Sequence, residues 1–524
     1  MFRSNWETFL KNYIHSERLG ISFDFSGMNF DGRFFESMAS KVKGAYGSMC
    51  ALEAGEIANV DENRQVGHYW LRNPNIAPTP ELQKIIRDTI SDIVNFAGDV
   101  HSGNVRGPRG TFKNLLCIGI GGSALGPQLI NSSLGDHPRL QAHFIDNTDP
   151  DGIDRTLSNI ELEDALVLVT SKSGSTPEPR NAMLEVMHRF ESAGISFPKQ
   201  AVAVTSAGSK LHNQAMGEGW IKTFPMLDWI GGRTSITSSV GLLPGALIGV
   251  DVEQFLSGAR EMDSWTRIRG DGNPAMRLAL AWYFATDGHG TKDMVVIPYK
   301  DRLVDFPKYL QQLIMESLGK EKSLDGTVVN QGISVYGNKG STDQHSYVQQ
   351  LRDGIGNFFL TIIEVLQHRD GKSIDVEDGI TAGDYLHGFS IGTEQALSAN
   401  DRQTLVISLR QFNAFSLGLL IALYERAVGF YASLIGVNAY NQPGVEAGKK
   451  AAANVLNAKR LILEFLRKNK HKPFHLDGIC DEIGGQFSRV LAFKILEQMS
   501  QNYPSIERGA DGDDIEKITY KFTE

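Results

Sequence analysis

LLCIGIGGSALG, residues 115–126, and ALVLVTSKSGSTPEP, residues 165–179, decide how this chain folds. Each is a short apolar run that breaks into a turn rich in Gly and Ser. Neither run alternates apolar with polar residues, as expected of parallel strands covered by helices on both faces. Where such a strand ends and a helix begins, backbone N–H groups, hydroxyls and the helix N-terminus together form an anion site. The phosphate of a small metabolite suits a pair of such turns.

Working outward, the pattern predicts strands at Asn114–Ile120, Gln141–Ile145, Ala165–Thr170 and Gln200–Thr205, with a helix at Pro179–Ser192. That alternation reads as βαβ units. The second half repeats the style. Strands are expected at Asp293–Pro298, Gly332–Tyr336, Phe359–Leu366 and Thr404–Leu409. Helices are expected at Pro274–Thr286, Phe306–Ser317, Asp384–Ala399 and Ala414–Gly429. The fold class is therefore α/β with mostly parallel sheets in two lobes, 96–270 and 271–450. Residues 1–95 read as a mostly helical segment. Residues 451–524 read as helix, two further helical pieces and a strand pair. They form either a winged-helix-like module or a cap on the second lobe, and the acidity of the chain favours the cap.

The 524 residues carry a net charge of −9, which argues against nucleic-acid binding. The three cysteines, Cys50, Cys117 and Cys480, form no CxxC pair, which fits a reducing compartment and no structural zinc. No signal peptide or membrane span is expected, so the protein reads as cytoplasmic. GFSIG, 388–392, matches a nucleophile-elbow pattern around Ser390. The residues before it look helical, so the match is read as chance.

Candidate chemistry lies at several places. GIGGSALG could hold a nucleotide, with Asp146 as a later acid, but it lacks the full dinucleotide pattern. Its companion turn, from Ser171 to Thr176, favours a sugar or phosphate contact. Arg233 follows two glycines and could offset a developing oxyanion, or be a surface charge. Gln312 and Glu316 share a helix face in QQLIMESLGK; Glu316 is either a semi-buried base or the surface partner of Lys320. His345, in GNKGSTDQHSYVQQ, could exchange protons near neutral pH, with Asp343 or another carboxylate orienting it. Gln442 and Lys449 flank a Pro-Gly turn in NQPGVEAGKK.

These segments, with GGRTSITSSVGLLP and GSTDQHSYVQQLRDG, stand in the order and spacing of a known family. Over residues 70 to 450 the chain resembles the glucose-6-phosphate isomerase family. The resemblance implies two sugar-isomerase (SIS) α-β-α sandwich lobes, a homodimer, no cofactor and no metal. It implies reversible conversion of glucose 6-phosphate to fructose 6-phosphate, in glycolysis and gluconeogenesis. By the same resemblance Ser171, Ser173 and Thr176 clamp the phosphate, with Ser175 helping. Gly122 and Ser123 lie beside the sugar, and Gln312 and Gln442 contact it. Glu316 shuttles the proton and Arg233 steadies the enediolate. His345 opens the ring from the partner subunit, and Lys449 lies near the ring oxygen. Ser175 stands where many relatives carry Thr, which keeps the hydroxyl. Residues 451–524 exceed what the compact bacterial members carry. A sugar-phosphate sensor would need only the phosphate turn, so Glu316, Arg233 and His345 together weigh against it. Side activity on mannose 6-phosphate stays open.

Overall fold

The computed structural model describes residues 5–485, 487–509 and 513–524, the side chains of 445–450 excepted. It divides into two compact units, residues 1–441 and 442–524.

The first unit opens with a short helix, Trp6–Asn12, and a hairpin, β1 (Tyr13–Ser16) and β2 (Ile21–Asp24). A five-stranded sheet follows, made of β3 (Asn114–Ile118), β4 (Gln141–Ile145), β5 (Ala165–Thr170), β6 (Ala201–Thr205) and β7 (Lys222–Pro225). Its order is β4-β3-β5-β6-β7, and every pairing is parallel. All six residues of β5 are buried, which explains its unbroken apolar run. β7 was not foreseen. It is a four-residue edge strand that starts on Lys222 and ends on Pro225, and an edge is where a sheet tolerates such residues.

The second sheet contains β8 (Asp293–Tyr299), β9 (Val335–Tyr336), β10 (Phe358–Val365) and β11 (Thr404–Leu409). Its order is β1-β2-β11-β10-β8-β9. The last four strands are parallel, and β2 joins β11 antiparallel, so the sheet is mixed. The helical reading of residues 1–95 leaves out the β1–β2 hairpin. Its strands are four residues each, and only three of those eight are fully apolar, so periodicity gives little signal.

The helix Ala414–Ile435 is long and apolar enough to cross a membrane, yet most of it is buried in protein. It packs against the helix Val252–Thr266. Burying each of its large apolar side chains contributes roughly 1.5–3 kcal/mol. Its middle also carries Glu425 and Arg426, both buried. Ser390 lies buried inside the helix Ala382–Ser398, so the strand that a nucleophile elbow needs is not in front of it.

The second unit has its own core, including Ile462, Leu466, Ile479, Leu496 and Tyr520. The helix Pro443–Lys468 leads to a short strand, β12 (Phe474–His475), and two helices, Leu476–Glu482 and Arg489–Asn502. The strands β13 (Ile506–Gly509) and β14 (Thr519–Phe522) close a three-stranded antiparallel sheet in the order β12-β14-β13. The helices and the strand pair expected here from the sequence are present, β12 adds a third strand, and together they close a core of their own.

Candidate active site

The turn after β5 is built by its own hydroxyls. Ser171 Oγ accepts the Gly174 N–H at 3.1 Å. Ser173 Oγ accepts the Ser175 N–H at 3.2 Å and lies 2.8 Å from Ser175 Oγ. The backbone also ties the turn to the chain after β6: Ser206 donates to the Lys172 carbonyl and Lys210 to that of Ser173. Gly174 has φ +69°, and a β-carbon there would lie 2.4 Å from the Leu211 nitrogen. Only glycine meets both conditions. Pro177 begins the next helix, and no side chain caps it at Thr176. Ser173 and Ser175 are exposed at this helix entrance, with hydroxyls free to face an anion. Lys172 turns aside and donates to the Asp228 carbonyl at 3.2 Å.

The turn after β3 meets two other segments. A β-carbon on Gly122 would lie 2.1 Å from the Gly232 carbonyl oxygen. The backbone of GIGGS therefore touches the backbone of GGRTS directly. Gly121 brings the same turn near Gln312: a β-carbon on it would lie 3.2 Å from Nε2. Ser123 follows in the first turn of the helix Gly122–Leu134.

Arg233 is buried. Its Nη2 donates to the carbonyls of Ala439 at 2.6 Å and Asn441 at 2.8 Å. Its Nη1 lies 3.2 Å from Glu316 Oε2. Burial lowers the Arg233 pKa, and Glu316 opposes that shift. The guanidinium is thus a fixed positive charge with one face on a carboxylate.

Gln312 and Glu316 do lie on one element, but it is not a regular α-helix. Phe306–Leu310 is α-helical and Gln311–Glu316 is a π-turn, a local widening common at functional sites. Lys320 does not pair with the Glu316 carboxylate on the surface. Its buried Nζ donates to the Glu316 carbonyl at 2.7 Å and to the Asn441 carbonyl at 3.1 Å. The carboxylate is left to Arg233.

His345 is exposed, at the end of the turn Thr342–His345, and its ring has no hydrogen-bond partner among the described residues. Asp343 does not orient it. That carboxylate is buried and accepts from the Asn338 N–H at 2.9 Å and from Tyr347 OH at 2.6 Å. Gln442 opens the second unit, just before Pro443. The Lys449 side chain lies outside the described residues.

Sequence reasoning missed the support beneath this cluster. Tyr309 OH lies 3.5 Å from the Arg233 carbonyl and 3.4 Å from Glu425 Oε1. Glu425 pairs with Arg72, Arg72 with Asp263 at 3.0 Å, and Asp263 with Arg426 at 3.1 Å. Arg426 reaches Glu53 at 2.6 Å. The signal was present as Arg72 in YWLR and as Glu425-Arg426 inside an apolar helix. Charges embedded in such runs are buried only if paired. Among the described residues no cluster of His, Cys, Asp or Glu could hold a metal ion.

A family model described as phosphoglucose isomerase matches residues 24–386 and 391–464. The chain belongs to the phosphoglucose isomerase family. It is 53% identical over 505 residues to a glucose-6-phosphate isomerase of Nostoc punctiforme, covering 95% of this chain and 96% of that one. It is 54% identical over 512 residues to a glucose-6-phosphate isomerase of Synechococcus elongatus, covering 97% and 96%. The crystal structure of a glucose-6-phosphate isomerase from Chlamydia trachomatis superimposes with a TM-score of 0.79 at 26% identity, covering 86% of this chain and 91% of that one. The phosphoglucose isomerase model ends inside the first helix of the second unit. The cyanobacterial matches extend further, because the 5% or less of this chain left unmatched is too short to hold residues 442–524.

Proposed function

We propose that this protein interconverts glucose 6-phosphate and fructose 6-phosphate by ring opening and proton transfer through a cis-enediolate. The observation that carries the mechanism is the Glu316 carboxylate held 3.2 Å from the Arg233 guanidinium, on segments that also touch the GIGGS turn.

Ser171, Ser173, Ser175 and Thr176 hold the phosphate, and that remote anchor orients the reacting carbons. Gly122 and Ser123 run along the sugar, with Gln312 and Gln442 as further contacts. The ring opens when an acid protonates the ring oxygen and a base takes the proton of the C1 hydroxyl. His345 and Lys449 supply these groups. Glu316 then removes the C2 proton of the open aldose. Arg233 offsets the negative charge of the enediolate. A proton passes from O2 to O1 of the enediolate, Glu316 returns its own at C1, and the ketose forms. The reaction is redox-neutral overall and needs no external oxidant or reductant; with Glu316 moving the proton and Arg233 offsetting the charge, this reading assigns no step to a cofactor or metal.

The same reading makes the enzyme a cytoplasmic homodimer in which each subunit lends His345 to the other's site. An exposed histidine with an unengaged ring suits that role. The five- and six-stranded sheets are read as two lobes of the sugar-isomerase sandwich type. A coupled assay following glucose 6-phosphate formed from fructose 6-phosphate tests the activity. Turnover is expected; none with a folded protein would sink the assignment. The same assay on mannose 6-phosphate measures the breadth of the substrate pocket.

A further inference from the structure

A cavity in the first unit is lined by none of the residues of the site described above. It holds about 340 Å³, a size that suits a small organic ligand. Its walls come from the helix Phe34–Glu53, the start of the helix Pro274–Thr286 and the loop before it. Phe35, Ala39, Val42, Met276 and Leu280 make it apolar on one side.

Its charge is unlike that of the chain. Lys43, Arg269 and Arg277 line it against a single acid, Asp271, in a protein with a net charge of −9. Arg277 is largely buried and faces Asp271 without an ion pair. Its guanidinium lies over the Phe35 ring at 4.2 Å from the centroid. Arg269 lies over the Tyr46 ring at 5.8 Å. Tyr46 is only 6% exposed, and its hydroxyl is sealed against Gly270 and Asn273, so it offers the cavity its ring and not its oxygen.

Three cations and an aromatic, apolar wall describe a complementary guest. We infer that this cavity binds a small organic anion, with a phosphate or carboxylate group carried on a planar apolar ring. The anionic group meets Arg277 and Lys43. The ring lies against Phe35 and the aliphatic wall. A bare anion would leave that wall wet, and a neutral ring would leave the cations unanswered.

The test is isothermal titration of the full-length protein with phenyl phosphate, in the presence of saturating fructose 6-phosphate so that the first site is occupied. The expected result is binding that persists under saturation and weakens as salt is added. Arg277→Ala and the exposed Lys43→Ala are each expected to weaken it about tenfold, the usual scale of a lost charge-assisted bond. Both variants should keep normal isomerase turnover. Inorganic phosphate should bind at least about tenfold more weakly, because it buries no ring. Binding abolished by fructose 6-phosphate would overturn the proposal. So would affinity unchanged in both Lys43→Ala and Arg277→Ala, or inorganic phosphate binding as well as phenyl phosphate. Failure of the isomerase assignment would appear separately, as absent turnover in the unaltered protein.

Discussion

Arg233 Nη1 and Glu316 Oε2 lie 3.2 Å apart, and both residues are tied to the Asn441 carbonyl, Arg233 directly and Glu316 through Lys320. Arg233 donates to the Ala439 and Asn441 carbonyls. The Glu316 end of its turn is held by Lys320, which donates to Asn441 as well. Residue 441 thus joins the proposed base to the proposed charge stabiliser. A fixed charge beside a reacting centre needs no reorganisation during the reaction.

Lys320 should therefore set the position of Glu316 without touching substrate. Lys320→Met is expected to lower kcat about tenfold or more with little change in KM, as a small misplacement of a catalytic group does. The variant also tests a pH dependence. Burial, and then the charge of Arg233, push the Lys320 pKa down to about 8, against an ordinary value of 10.5. Between those values the unfolded chain binds the extra proton, so this group makes folding more favourable as pH rises through the window. Stability measured against pH should lose that increment in Lys320→Met.

The phosphate turn should act on binding more than on chemistry. Ser173→Ala removes a hydroxyl that both accepts from Ser175 and stands open at the helix entrance. Loss of one hydrogen bond to a charged ligand costs about 1.5–3 kcal/mol, so KM for fructose 6-phosphate should rise by about tenfold or more. Steady-state kinetics checks this.

The ion-pair network under Arg233 should govern stability. Arg426→Met removes one partner each from Asp263 and Glu53, both substantially buried. Breaking one side of a buried pair destabilises by about 3–5 kcal/mol. A lower midpoint in chemical or thermal unfolding is expected, with the shift much smaller for a change at an exposed pair such as Lys84–Asp88.

The shared-site reading predicts complementation. Inactive Glu316→Gln and His345→Ala proteins, mixed, unfolded and refolded together, should regain about a quarter of normal activity, because half the dimers then carry one intact site. No recovery from refolded, dimeric mixtures would place both residues in one subunit's site.

Much of this was legible in the chain. β5 is apolar at every position because it is covered on both faces, so its bounds were readable from Ala165 to Thr170. Glu316 and Arg233 were readable as candidates because polar residues interrupt apolar or glycine-rich runs. Their 3.2 Å contact was not, since it joins residues 83 positions apart through tertiary packing. Lys320 was visible at i+4 from Glu316, where α-helical geometry predicts a side-chain pair. The π-turn and the Asn441 carbonyl redirect it to backbone. Of the carboxylates that could orient His345, Asp343 is excluded, because adjacency in a loop says nothing of which way a carboxylate turns, and this one turns to Asn338 and Tyr347. The closure of residues 442–524 on their own core was not visible in net charge at all.

The most direct test of the account is the turnover of Glu316→Gln in the fructose 6-phosphate assay, measured with circular dichroism and substrate binding on the same sample. The amide keeps the shape of the side chain and cannot take the C2 proton. A folded protein that binds sugar phosphate and turns over about a thousandfold more slowly is predicted, the scale of a lost general base. A folded variant with a near-normal rate would contradict the assignment of Glu316 as the proton shuttle.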